Sequence, residues 1–197
     1  MSIGNDEASH AGFSDELRVD WIGADAFADG LAGRLGLTFL PGKTGPSFRY
    51  PGRIYLRDVD RDLAALRAMG VGRLILLVED HELARWSDPT LVSRGAAAGV
   101  DVLRHPLPDG LPPRTRAEMR AILDEIRDGR SNADVAVACM GGVGRSGTVA
   151  ACALVDAGLS AAAAIATVRA VRHPRAVETV AQERFVEEYA AARRNHP

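Results

Sequence analysis

Cysteine is nearly missing from this chain. Its 197 residues hold only two, Cys139 and Cys152, too few for a disulfide framework or a zinc site. That suits a reducing, cytoplasmic setting in which a thiol stays free. Lysine is scarcer still: Lys43 stands alone, and the other Lys/Arg positions are all arginine. No charge sign dominates. A net charge of -2 removes any global electrostatic case for nucleic acid or acidic membranes as partners. No apolar run approaches the ~20 residues that a membrane span requires. The first sixteen residues are polar, lack the charged-then-apolar order of a secretory signal, and read as a flexible tail. With no internal repeat and no linker, residues 17–197 are expected to form one domain. A hydrophobic content of 47% is enough to give that domain a proper core.

What is present alternates. Leu17–Ile22 and Leu35–Leu40 carry strand patterns, and Pro46 to Gly52 reads as a turn-rich connection. Val59, Leu63, Leu66 and Met69 recur at helical spacing over 58–69, with Gly70 as the stop. Leu74–Val78 is a continuous apolar strand. A helix is expected from about Pro89 to Ala98, then a short strand over 100–103. The loop His105 to Pro113 is too proline-rich for regular structure. Thr115, with Glu118 three residues on, opens a helix to about Asp128. The apolar run Asp134–Ala138 reads as a buried strand, and helices follow over 148–155, 160–171 and 179–193. Strands alternating with helices predict an α/β layered fold with a mostly parallel central sheet.

Between strand 134–138 and its following helix lies Cys139-Met140-Gly141-Gly142-Val143-Gly144-Arg145-Ser146. A strand, a glycine-rich turn and a helix start aim successive backbone N–H groups at one point, which makes an anion site. A thiol on its floor has its thiolate stabilised, and the thiolate is the nucleophile. An arginine facing the site can grip two phosphate oxygens. Other anion loops fit less well. Gly142 to Gly147 satisfies G-x-G-x-x-G, but the acid expected about 20 residues on in a dinucleotide site is absent. A Walker A loop fails for want of a lysine after the glycines. A plain strand–helix turn with a buried cysteine would leave Arg145 unexplained: a cation at a helix start opposes the helix dipole unless an anion is bound.

Cys-x5-Arg followed by Ser is similar to the signature loop of cysteine-dependent protein phosphatases. In the tyrosine-specific and dual-specificity branches an acidic Asp precedes the cysteine by about thirty residues, and Asp109 of Leu107-Pro-Asp-Gly110 holds that place. The wider run resembles the kinase-associated phosphatase group over roughly residues 19–190. The matching stretches are Leu40-Pro-Gly-Lys43, the 57–70 helix, His105-Pro-Leu-Pro-Asp-Gly110, the cysteine loop and Ala176 to Gln182. The resemblance implies a three-layer phosphatase fold, a cysteinyl-phosphate intermediate on Cys139, and a phosphoryl clamp by Arg145. It implies phosphate-binding amides from Met140, Gly141, Gly142, Val143 and Gly144 through Arg145. Asp109 becomes the general acid and Ser146 the hydroxyl that eases breakdown of the thiophosphate. Gln182, with Glu178 where some relatives have glutamine, becomes the water-positioning pair. No metal or other cofactor is required, because cysteine and arginine take its place. Asp134 is a weaker candidate acid. His105 is read as structural.

One departure stands out. The family has His directly before the cysteine, and this chain has Ala138, so a thiol less acidic than the family's is expected. Apolar Met140 and Val143 favour a phosphorylated protein over a phosphoinositide as substrate, either phosphotyrosine alone or phosphoserine and phosphothreonine as well. A catalytically weak phosphoprotein-binding module is an alternative prompted by Ala138. A rhodanese-type sulfurtransferase is disfavoured by the longer loop and the upstream acid. The name of the group is not carried over as a kinase partner, and oligomeric state stays open.

Overall fold

The structure is a computed structural model that describes residues 16–47, 51–52 and 54–195. All of the expected tail except Glu16 lies outside them. Five strands form the main sheet: β1 (Val19–Ile22), β2 (Leu35–Phe39), β5 (Val71–Leu76), β6 (Asp101–Arg104) and β7 (Asp134–Cys139). Their order is β1-β2-β7-β5-β6. Only the β1–β2 pair is antiparallel; β7 lies parallel to both β2 and β5. The fold is therefore α/β with a mostly parallel sheet, as the alternation predicted. β7 is central, and its last residue, Cys139, pairs with Phe39 at the carboxyl edge.

The continuous apolar runs separate by parity once paired, since side chains alternate across a strand. Ile75, Val135, Val137 and Cys139 face a core with α4 (Arg116–Arg130), α5 (Arg145–Asp156), α6 (Ala161–Val171) and α7 (Val180–Asn195). Leu74, Leu76, Ala136 and Ala138 face a second core with α1 (Val59–Ala68), α2 (Asp80–Trp86) and α3 (Leu91–Ala97). The sheet is thus sandwiched between two helical layers. Ala138 is fully buried on the face opposite Cys139.

Two expectations are corrected, and three elements had no forecast. The expected turn is present at Pro51–Gly52, but the antiparallel strands that flank the connection, β3 (Thr44–Pro46) and β4 (Ile54–Leu56), are too short to show a period and had no forecast; positions 48–50 and 53 lie outside the described residues. Helix α2 had no forecast at all. The helix after the cysteine loop starts at Arg145 rather than Thr148, with Gly147 inside its first turn, where a Cβ would lie 3.0 Å from the Val177 amide nitrogen. Asp134 sits at the amino end of β7, the far end from Cys139, where Arg34 holds it through backbone and guanidinium at 2.6–3.1 Å. That placement removes it as an acid. The Thr115 cap forms, its hydroxyl accepting from the Glu118 amide at 3.1 Å, while the Glu118 carboxylate takes the Arg114 amide instead of that of Thr115.

Candidate active site

The loop between β7 and α5 is built as an inward-facing cradle. Gly142 lies at φ +67, and a Cβ there would sit 2.3 Å from the Thr38 carbonyl oxygen, so only glycine fits. Its amide donates to Cys139 Sγ at 3.2 Å. The thiol is almost fully buried. Burial alone would raise its pKa. The Arg145 guanidinium, the Ser146 hydroxyl and the amides of Ser146 and Gly141 outweigh burial, and the net shift is downward. Cys152 shows the contrast: buried among apolar neighbours with Asp156 nearby, its thiol is pushed well up and is inert.

Arg145 is itself buried, and two carboxylates engage it. Glu82 takes both of its terminal nitrogens, Nη1 at 2.6 Å and Nη2 at 2.7 Å. The Leu107 carbonyl accepts from Nη1 at 2.8 Å, and the Asp109 carboxylate lies 3.0 Å from Nη2. Its Nε is buried with no partner. Burial would push the Glu82 carboxyl up, but hydrogen bonds from Arg145 and the Glu79 amide hold it below the usual range. Glu82 is positioned by α2, where Glu79 and Glu82 form a reciprocal capping box.

Ser146 is fully buried one residue further on. Its hydroxyl falls short of a full hydrogen bond, yet it is close enough to the sulfur to lower the thiol's pKa. On the other flank, a Cβ on Gly144 would lie 3.0 Å from Glu178 Oε2 and 3.2 Å from Gln182 Nε2. Gln182 is buried, its Oε1 accepting from the Glu178 and Thr179 amides at 2.8 and 3.3 Å and its Nε2 unpartnered. Val177, just before this pair, adopts φ 58, strained for a β-branched residue. Its amide donates to the Val143 carbonyl at 3.2 Å. Thr179 Oγ1 donates to the Gly110 carbonyl at 2.8 Å, tying the acid loop to the same segment.

A family model described as Swiss Army Knife protein, DSP-PTPase phosphatase domain, matches residues 47–186. The chain belongs to this DSP-PTPase family. It is 29% identical over 158 residues to cyclin-dependent kinase inhibitor 3 of Rattus norvegicus and of Homo sapiens, covering 79% of this chain and 71% of each relative. Among solved structures it is similar to kinase associated phosphatase carrying a serine in place of its catalytic-site cysteine. That match has a TM-score of 0.78 at 25% identity and covers 92% of this chain and 98% of the other. It is also similar to Tk-PTP in the active form, with a TM-score of 0.63 at 31% identity over 84% and 95% of the two chains.

In this DSP-PTPase domain the residues singled out from sequence converge: Cys139, Arg145, Ser146, Asp109, Gln182 and Glu178 all border one loop. Sequence reasoning missed Glu82. Glu82 sits in a Glu-Asp-His-Glu run that reads as solvated surface, and α2 lacks the Ser, Thr, Asp or Asn cap that marks a helix start. Among the described residues no group of His, Cys, Asp and Glu could hold a metal ion, and no helix is long and apolar enough to cross a membrane.

Proposed function

We propose that this chain hydrolyses phosphomonoesters on proteins, phosphotyrosine foremost and phosphoserine or phosphothreonine beside it, through a phosphate carried on Cys139. The observation that supports this most is a buried thiol of lowered pKa held against a guanidinium whose Nε points to no protein partner. Residues 17–197 act as a single phosphatase domain, in a reducing cytoplasmic compartment where the thiol stays free.

The thiolate attacks phosphorus, the S–P bond forms, and the ester P–O bond breaks. The leaving oxygen takes its proton from Asp109. The phosphoryl oxygens receive Arg145 Nε–H and the Nη2–H that Asp109 engages in the free site. Asp109, 80% exposed at its side chain, is free to swing from Arg145 toward the leaving oxygen. Amides from Met140 through Arg145 stabilise the remaining charge. Water then attacks phosphorus, the S–P bond breaks, and the water proton passes to the Asp109 carboxylate. Gln182 and Glu178 orient that water, and the Ser146 hydroxyl stabilises the departing thiolate.

Turnover of an aryl phosphate with inhibition by vanadate tests the reading. A protein that binds vanadate without turnover is a phosphoprotein-binding module instead, and thiosulfate turnover would indicate sulfurtransfer. Asp109→Asn should lower kcat by about 10²- to 10⁴-fold, the range of a lost general acid. It should also flatten the basic limb of the pH–rate profile, because an amide has no proton to lose as pH rises. A retained limb would assign the acid elsewhere.

A further inference from the structure

The outer side of the loop is as fully specified as the inner. Five consecutive carbonyls, Met140 to Gly144, each accept a hydrogen bond. Lys43 Nζ donates to the Met140 carbonyl at 3.1 Å. Arg172 donates from Nη2 to Gly141 at 2.9 Å and from Nε to Gly142 at 3.1 Å. The Val177 amide serves Val143, and the amide and hydroxyl of Thr148 serve Gly144. In a trans peptide the C=O of one residue is antiparallel to the N–H of the next. A donor fixed on carbonyl 140, 141 or 142 therefore fixes the amide of Gly141, Gly142 or Val143 in the opposite direction. The Gly142 amide donates to Sγ, and the Gly141 amide helps lower its pKa. Two of the peptides whose amides act on the sulfur, 140–141 and 141–142, are thus held from outside by cationic side chains.

Both cations are built into place. Arg172, the C-cap of α6, is nearly buried, and its Nη1 is anchored by Asp20 of β1 at 2.6 Å. A Cβ on Gly142 would lie 2.9 Å from its Nη2, so the loop glycine also makes room for it. Lys43 is buried just after β2, stacked over the Tyr55 ring at 4.4 Å. The Gly42 amide beside it is held by buried Asp62 at 2.8 Å, and Arg57 pairs that carboxylate. Ala138 contributes nothing here, since it is packed on the opposite face of the sheet.

We propose that Lys43 and Arg172 form a cationic collar behind the loop, positioning its amides on the Cys139 sulfur and on the bound phosphoryl group. They are positioning residues, acting through carbonyls they polarise and orient. The collar rests on the anion-cradle reading of the loop, and its test is independent of turnover. The charged groups around the loop are Arg145 with Glu82 and Asp109, Arg172 with Asp20, Lys43, and Glu178 near Gly144.

The experiment follows alkylation of Cys139 by iodoacetamide against pH, with mass spectrometry separating Cys139 from Cys152, and measures protection by inorganic phosphate. Arg172→Met and Lys43→Met should each move the alkylation midpoint upward by about one pH unit, a tenfold loss of thiolate below the midpoint. Each should weaken phosphate protection by about tenfold, the scale of one charge-assisted hydrogen bond. Arg172→Lys, which can restore one of the two carbonyl contacts, should recover part of both shifts, as a merely space-filling role would not. Unchanged midpoints and phosphate protection within about twofold of wild type in cooperatively melting variants would overturn the collar. If Arg172→Met fails to fold, Lys43→Met and Arg172→Lys decide it. A wild-type protein that phosphate protects but that turns over no aryl phosphate would sink the catalytic reading and leave the collar standing.

Discussion

Cys139→Ser should abolish turnover of an aryl phosphate, by roughly 10⁴-fold or more, because every route through the covalent intermediate closes with the nucleophile. The hydroxyl is close in size to the thiol, so the fold should survive. What it cannot do is ionise. The Gly142 amide, the Arg145 guanidinium and the Ser146 hydroxyl are arranged to favour an anion at Sγ, and an alcohol stays neutral against them. Phosphate binding should therefore be retained or strengthened in the variant, since the site keeps its cations and loses a thiolate that repels the incoming dianion. Stability gives a second readout. The folded thiol titrates below its unfolded value, so its contribution is fully present above the unfolded pKa and is lost as pH falls through the folded one. The melting-temperature advantage of wild type over Cys139→Ser should grow with pH across that window. Turnover retained by the variant, or a flat difference in melting temperature, would each contradict the thiolate.

How legible the site was depends on where its information lies along the chain. Cys139, Arg145 and Ser146 share one loop, and a strand–glycine–helix sequence announces itself because glycine is needed for the φ +67 turn at Gly142. Asp109 was picked out through the resemblance, as the Asp of a Pro-Asp-Gly turn ahead of the cysteine. Glu82 was not, because what brings it to the loop is burial against Arg145, 63 positions away, and charge spacing carries no sign of burial. Lys43 and Arg172 were invisible in the same way: they reach the loop through the topology, from the β2–β3 connection and from the C-cap of α6. The fold follows a similar rule. The long apolar strand β7 was evident, whereas β3 and β4, three residues each, gave no period to read. Helix α2 is capped by an unusual glutamate box that only the structure exposes.

Arg145 and Glu82 should prove inseparable, and two substitutions test it. Arg145→Lys keeps the charge but loses the fork. An ammonium can satisfy part of Glu82 and still cannot offer two coplanar donors to a phosphoryl group, so kcat/KM should fall by about 10²- to 10³-fold, the range for a lost preorganised donor. The Cys139 alkylation midpoint should move far less than in Arg145→Met, because the cation remains. Arg145→Met should also be the less stable protein, as it strands a buried carboxylate, at a cost of about 3–5 kcal/mol. Glu82→Gln is the mirror experiment. It leaves the guanidinium without its bidentate partner, so the melting temperature should drop in phosphate-free buffer and recover on adding phosphate, which supplies the missing negative charge. The pH dependence should differ as well. Burial raises the Glu82 carboxyl and the Arg145 hydrogen bonds lower it further, for a net downward shift. Wild type therefore holds this stabilisation above the ordinary carboxylate range and loses it as pH falls through the lowered value, a loss that Glu82→Gln should not show. If phosphate stabilises Glu82→Gln no more than wild type, Glu82 is not what balances the Arg145 charge in the phosphate-free site.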